Sequence, residues 1–383
     1  MAAPPGRGGG RCLVLGAGAQ GLACAFRLWE QGWEVTILAR DWLEGTTSSG
    51  AGAIWEYPPF HIEPQEAARQ WVLSSHGPFQ AIAGLSTPSS PSGARVRRAY
   101  YVCRDRARAA DAYAAVASEP FLKAREGLPP SGLVRPGTFS CGFSLEAPVI
   151  CMKLYLPWLT NAVGQLAGVR FVQAAVLDTS DVHRWKRAEG AQLVVNCLGL
   201  GSCRVFEDPA VHGVRGDLVY VAAPGVEDSF DAALVSDEDH PDGLTYMVAQ
   251  GNGIMALAGA AEKVGELEGP VRPPQEQLDS ILKRNVESFP CLGPSPVVMG
   301  DWSGLRPQRE GGVRLELAHD ATVGPVIHDY GHGGSGVVTS WGCAADVAKM
   351  ASEFAASAGL ALRARSLPPS LLALSAAGAP SRL

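Results

Sequence analysis

The chain has no surplus of positive charge. Its 383 residues carry a net charge of −6, which excludes a phosphate-tracking surface for nucleic acid or anionic membrane. No run approaches the roughly 20 apolar residues that span a bilayer. The Pro/Gly-rich first ten residues lack the apolar core of a secretory signal. There is no C-x-x-C pair, and the nine cysteines are scattered and odd in number. That pattern reads as buried thiols in a reducing compartment, not as a disulfide framework or a zinc site. No internal repeat is present. What remains is ordinary globular composition, 46% hydrophobic and 18% charged, in a chain long enough for two domains.

The strongest local signal lies near the start. The apolar run 11–15 leads directly into Gly16-Ala17-Gly18-Ala19-Gln20-Gly21. Leu22, Ala25, Phe26 and Trp29 then recur at helical spacing, Gly32 stands where the helix should end, and 33–39 alternates like a second strand. Each glycine has a reason: Gly16 for the tight turn, Gly18 for close approach to a pyrophosphate, Gly21 for close helix packing. The helix start offers unpaired N–H groups and partial positive charge to the phosphates. At the end of the second strand, Arg40 suggests a 2′-phosphate and Asp41 a ribose hydroxyl, so this pair leaves the dinucleotide open.

Further along, Gly45-Thr46-Thr47-Ser48-Ser49-Gly50-Ala51-Gly52-Ala53-Ile54-Trp55 groups small residues and hydroxyls before a large aromatic. Such a segment lets backbone amides reach a flat ring and hydroxyls reach phosphate oxygens. Segment 84–93 is a Ser/Pro/Gly loop, and the six arginines of 95–108 read as a solvated helix face or loop edge. Runs 169–176 and 192–198 are dense enough in apolar residues for central parallel strands. Segment 205–292 is mixed, with β-like runs at 217–221 and 254–257. Its polar loop 236–242 holds Asp237, Glu238, Asp239 and Asp242 but no Lys or Arg.

In Gly304-Leu305-Arg306-Pro307-Gln308-Arg309, the proline biases Arg306 toward extended backbone, a setting for bidentate capture of a carboxylate. His328-Asp329-Tyr330-Gly331-His332-Gly333-Gly334-Ser335-Gly336 precedes a helical pattern with Val338, Trp341, Ala345 and Ala348 on one stripe. A helix start reached through glycines suits an anion, and no metal is expected at the two histidines.

Taken in order, these segments together with Val194-Val195-Asn196-Cys197-Leu198-Gly199 resemble the D-amino-acid oxidase and D-aspartate oxidase family of flavoenzymes, from 11 to about 354. The resemblance implies an α/β protein: a Rossmann-like FAD-binding domain with a parallel sheet, plus an α+β substrate domain with an antiparallel sheet. Segments 1–57, 148–205 and 295–360 are expected in the first, 58–147 and 206–294 in the second, with 361–383 a flexible tail. The resemblance implies that Arg306 anchors a substrate carboxylate with the Tyr246 hydroxyl, and that the Gly334 carbonyl accepts from the substrate amine. FAD is implied against Gly16, Ala17, Gly18, Gly21, Arg40, Asp41, Thr46, Thr47, Ser48, Gly52, Ala53, Ile54, Val176 and Gly199. Its ring is implied to meet Gly333, Gly334, Ser335, Gly336, Val337 and Val338.

The implied reaction is hydride transfer from Cα to flavin N5, giving an imine that hydrolyses to a 2-oxo acid and ammonia while oxygen becomes hydrogen peroxide. Catalysis is then mainly orientation and electrostatics. Vertebrate members carry a second tyrosine where this chain has Asp242, whereas Arg40-Asp41 and Ala51-Gly52-Ala53 resemble the fungal branch. Neutral or basic D-amino acids are expected, because the acidic 236–242 loop disfavours a second carboxylate. The alternatives are a D-aspartate oxidase, a glycine or sarcosine oxidase, a nicotinamide-dependent dehydrogenase and a non-catalytic flavoprotein. Ser381-Arg382-Leu383 resembles a peroxisomal address read by the import receptor. A homodimer is also expected, with no nucleic-acid or membrane partner.

Overall fold

The computed structural model describes residues 9–57, 62–259, 261–264 and 272–376. The chain opens with β1 (Arg11–Leu15), α1 (Ala19–Glu30), β2 (Glu34–Ala39), α2 (Gln65–Gly84), β3 (Ala94–Cys103) and α3 (Arg106–Ala117). It continues through β4 (Arg125–Glu126), β5 (Cys141–Ile150), α4 (Met152–Gly164), β6 (Val169–Gln173), α5 (Thr179–Glu189), β7 (Leu193–Asn196) and α6 (Gly201–Val205). Next come β8 (Val211–Ala222), α7 (Val226–Phe230), β9 (Ala232–Asp237), β10 (Thr245–Ala249), β11 (Ile254–Ala258) and β12 (Glu262–Val264). The last are α8 (Gln275–Ser288), β13 (Val297–Arg309), β14 (Arg314–Asp320), β15 (Gly324–Tyr330), α9 (Ser340–Ser357) and α10 (Leu372–Ala376).

Two sheets result. The first runs β14-β15-β7-β1-β2-β6 and is parallel except for β14, which returns antiparallel on β15. β1 and β7 are buried because helices cover the sheet, which explains their unbroken apolar runs. α1 packs its Phe26 edge-on against Trp341 of α9, with ring centroids 5.4 Å apart. This is the Rossmann-like half.

The second sheet runs β12-β8-β11-β10-β9-β3-β5-β4, with β13 also paired along β8. It is antiparallel except where β3 meets β9 in parallel. Along β10, Met247 and Ala249 join a core with Ile281 and Phe289, while Tyr246 and Val248 face the other side, as the period of two requires. One face of this sheet is therefore core, and part of the other, around Leu234, Ser236, Tyr246 and Val248, lines a cavity.

Four readings of the sequence change. Segment 169–176 is not a central strand: β6 is the edge of the first sheet, and most of its side chains are solvent-exposed. Segment 295–360 is divided, because β13 extends the second sheet and not the first. The 95–108 arginines are not a solvated edge: Arg95, Arg97 and Arg98 lie in β3 and pair with Glu227, Asp231 and Glu146 at 2.8, 3.5 and 3.5 Å. Finally, residues 361–376 are packed and not a loose tail. Arg365 donates its backbone N–H to Glu30 O at 2.8 Å and lays its guanidinium over Trp29, while Leu367, Leu371 and Leu374 enter the main core. Those three leucines follow helical spacing, which the Pro/Ser/Ala composition around them hides. No helix among the described residues is long and apolar enough to cross a membrane.

Leu374 is 0% exposed and its neighbour Leu372 is 51% exposed. Leu374→Ala is expected to cost about 2–5 kcal/mol in denaturant unfolding, and Leu372→Ala about 0.5 kcal/mol or less. Equal effects would show that the segment does not dock.

Candidate active site

A cavity of about 2060 Å³ lies between the carboxyl ends of the parallel strands and the free face of the second sheet. Ligands of open α/β sheets bind at such carboxyl ends. Gly16, Ala17 and Gly18 line it after β1, Arg40 and Asp41 after β2, Gly199 after β7, and Gly333, Gly334, Ser335, Gly336, Val337 and Val338 after β15.

The first turn is shaped by what its glycines lack. Gly16 has φ +102°, and a Cβ there would overlap the Cys197 carbonyl. Gly18 caps α1 without a side chain of its own and no acidic residue stands in the first turn, so the helix start faces the cavity with no negative charge against it. Ser48 stands across from it and accepts the Ala19 N–H at 3.1 Å. Gly21 does not line the cavity; a Cβ there would overlap the Gly16 carbonyl, so it holds the helix against the turn.

The other expected residues gather in the same wall. Thr46, Thr47, Ser48, Gly52, Ala53, Ile54 and Val176 all line it. Thr46 spends its hydroxyl locally, donating to Leu43 O at 2.7 Å, and Arg40 pairs with Asp41 at 2.6 Å. An uncapped helix start, a hydroxyl opposite it and a run of small residues make a donor set that fits the diphosphate and flat ring of FAD. The α1 start and Ser48 would hold the diphosphate. Gly52, Ala53 and the segment 333–338 would leave room for the ring.

The histidines have other work. His328 is buried, lies 3.2 Å from the Asn196 side-chain amide, and is held to about 4 by burial. His332 Nε2 lies 3.2 Å from Asp329 Oδ1, and Cys24 donates to Asp329 Oδ2 at 3.2 Å. Two triads, Cys24/Cys197/Asp329 and Asp329/His332/Cys343, share that carboxylate. Burial pushes the Cys24 and Cys343 thiols well up, which keeps them as protonated donors.

Opposite, the sheet face carries a cross-strand row. Trp302 pairs with Leu218, Leu218 with Ala258, Ala258 with Tyr246, Tyr246 with Ser236, and Ser236 with Tyr101. Arg306 sits further along β13, opposite Val214, and its Nη1 donates to Arg215 O at 3.4 Å. A Cβ on Gly216 would overlap the Arg306 guanidinium, so Gly216 makes its berth. A Cβ on Gly334 would stand 3.6 Å from Arg306 Cδ, which brings that backbone beside the arginine. Burial pushes the Tyr246 phenol up despite the Arg306 charge, so it stays protonated and able to donate.

Five residues were not among the expected site residues: Glu56, Glu238 and Arg108 line the cavity, and Tyr101 and Gly216 lie beside it. Glu56 lines the cavity and is pushed up to about 8 by burial and by Glu238. Glu238 also lines it, accepts from Ser236 Oγ at 2.5 Å and feels the Arg108 charge. Tyr101 is 3% exposed and its hydroxyl has no hydrogen-bond partner among the described residues. Arg108 and Gly216 complete the set. The rest of the acidic 236–242 segment is spent elsewhere. Arg104 holds Asp237 at 2.6 Å and Asp239 at 3.0 Å, and Asp242 is exposed and outside the cavity wall. Alternation along 234–238 carried the signal for Glu238, since it shares parity with Leu234 and Ser236.

Residues 11–350 match the family model described as FAD dependent oxidoreductase. The D-amino-acid oxidase of Rubrobacter xylanophilus is 34% identical over 347 residues, covering 90% of this chain and 97% of the relative. The D-amino-acid oxidase of Streptomyces coelicolor is 34% identical over 344 residues, with coverage of 90% and 97%. The glycine oxidase of Geobacillus kaustophilus superposes with a TM-score of 0.72 at 17% identity, over 90% of this chain and 95% of that one, and so shares the fold. The family match replaces the nicotinamide-dependent reading that the glycine turn alone left open. With the family model spanning most of its length, the chain belongs to the D-amino-acid oxidase family of FAD-dependent oxidoreductases.

Proposed function

We propose that this chain oxidises neutral or basic D-amino acids to 2-oxo acids, releasing ammonia and hydrogen peroxide. The observation that carries the reading is the Arg306 guanidinium seated over Gly216, sharing a cavity with a protonated Tyr246 and the Gly334 backbone. That set matches the two polar groups of an α-amino acid, its carboxylate and its amine. Arg306 takes the carboxylate in two charge-assisted bonds, and Tyr246 donates a third. The Gly334 carbonyl accepts from the amine, which fixes the substrate at two points and leaves Cα turned toward the 333–338 segment. FAD, when bound, supplies the two-electron acceptor at Cα and hands the electrons on to oxygen. The chain's own contribution is orientation and exclusion of water, with no side chain assigned as a base.

D-Aspartate is disfavoured in this reading because Glu56 and Glu238 face the same cavity, where a second substrate carboxylate would meet groups of its own kind. Peroxisomal residence and the import receptor rest on Ser381-Arg382-Leu383 alone, which lies outside the described residues. A homodimer belongs to the same proposal. The relatives named D-amino-acid oxidase support the reaction class.

Purified protein reconstituted with FAD is expected to form peroxide from D-alanine and not from L-alanine. Arg306→Ala is expected to lower kcat/KM about 100- to 1000-fold, the loss that follows truncation of a buried charge pair, with Arg306→Lys intermediate. Activity with both enantiomers, or an unaffected Arg306→Ala enzyme, would sink the reading. Gly216→Ala offers a gentler probe. The three atoms nearest the new methyl all belong to the far end of a flexible side chain, so the melting temperature is expected to hold while KM for the D-amino acid rises about tenfold or more. A drop in melting temperature with unchanged KM would show that Gly216 serves the sheet and not the arginine.

A further inference from the structure

We infer that the end of the cavity away from Arg306 is a subsite for a cationic side chain, lined by Glu56 and Glu238 with the buried Tyr101 phenol behind them, and that the preferred D-amino acids end in an ammonium or guanidinium. The inference rests on the carboxylate assignment above and extends it to the substrate class.

The sheet register sets the direction. From β13 the order is β8, β11, β10, β9, β3, so Arg306 lies to one side of Tyr246 while Ser236 and Tyr101 lie to the other. Neighbouring strands stand about 4.8 Å apart, so Tyr101 is about 10 Å beyond Tyr246, within reach of a long side chain whose carboxylate is held at Arg306. Glu56 and Glu238 belong to this same side: both charges act on Tyr101, and both residues line the cavity.

Charge accounting then singles out Glu56. Glu238 is partly satisfied, by the Ser236 hydroxyl at 2.5 Å and by the Arg108 charge. Glu56 has neither; among the described residues, burial and the like charge of Glu238 are what act on it. Independently, the Tyr101 phenol is almost fully buried and packs flat on Phe143, with ring centroids 4.9 Å apart, and its hydroxyl meets no partner among the described residues. A buried hydroxyl without a partner is costly, and so are two carboxylates facing one cavity. A cation with several N–H donors removes the second cost by pairing with Glu56 and Glu238, the two charges that act on the Tyr101 phenol behind them. An alkyl side chain leaves that cost in place, and a carboxylate adds to it.

The test compares side chains of matched length on the FAD-loaded enzyme. D-Lysine is expected to exceed D-norleucine in kcat/KM by about tenfold or more, the value of one charge-assisted bond, with D-glutamate poorest. Glu56→Gln is expected to bring the lysine-to-norleucine ratio close to one, mainly through KM for D-lysine, and to improve D-norleucine. Glu238→Gln should lower the same ratio less, because Arg108 and Ser236 already share that carboxylate. A wild-type enzyme that handles D-norleucine as well as D-lysine overturns the subsite while leaving D-amino-acid oxidation standing. A ratio that survives Glu56→Gln also overturns it. Binding gives a readout free of turnover: 6-aminohexanoate should perturb the flavin absorbance with a Kd about tenfold below that of hexanoate. Equal or weaker binding of 6-aminohexanoate rejects the subsite, whereas flavin that no D-amino acid reduces rejects the proposed reaction instead.

Discussion

A guanidinium can lie against the face of a β-sheet only where the strand beneath it gives up a side chain. Here β8 and β13 do so at a cross-strand pair, Gly216 and Gly304. Arg306 occupies the space over the first and the Trp302 indole the space over the second, and a Cβ on either glycine would overlap its occupant. The indole in turn supports Gly50, in the segment that carries the expected phosphate-binding hydroxyls, again at a distance no side chain would allow. One glycine pair thus sets the arginine and seats the cofactor-side loop on the substrate-side sheet. The cavity depends on that junction more than on any single hydrogen bond.

Charge around this junction is arranged by pairing what does not serve the cavity. Asp237 is buried and held by Arg104, Arg215 pairs with Asp217 at 3.2 Å, and Asp208 is shared between Arg309 at 2.8 Å and the Tyr330 hydroxyl at 2.7 Å. A buried carboxylate without such partners is expensive, so the protein closes these accounts locally. The same cost explains the Asp329 cluster, where protonated thiols and an imidazole surround one carboxylate behind the cavity wall. Against that background Glu56, which has no ion-pair partner among the described residues, is an exception with a location.

What could be read from the sequence was what the chain does locally. The glycine turn at 16–21, the Gly-Leu-Arg-Pro stretch at 304–307 and the glycines of 331–336 each act through their own backbone conformation, so residue type and spacing carry the information. The central, parallel character of β7 followed from the apolar density of 192–198, with Leu193, Val194 and Val195 at its heart. Edges were harder: β6 has a strand's composition, and nothing within it says that only one side will be paired. The docking of 361–376 depends on surfaces of α1 and α2 far away in sequence, as does the seat of Arg365 on Trp29. Glu56 follows Trp55 by one residue, yet its meaning comes from Glu238 and Tyr101, which reach it only through the parallel β3–β9 pairing.

That β3–β9 pairing bears on how one fold serves several substrates. The Arg306 end of the cavity is built from β13 and β8, whose long antiparallel ladder fixes its geometry over many residues. The opposite end is built from β9, β3 and the chain after Trp55, joined by a short parallel contact with a register shift at Arg98/Ala99. A rigid end suits the part common to every amino acid, and its glycines leave little freedom for exchange. The looser end tolerates substitution, because side chains there, unlike Gly216 or Gly304, are not required for the backbones to meet. Selectivity is therefore expected to be written on the β9 and β3 side, in side-chain charge, while the carboxylate grip is written on the β8 and β13 side, in backbone space.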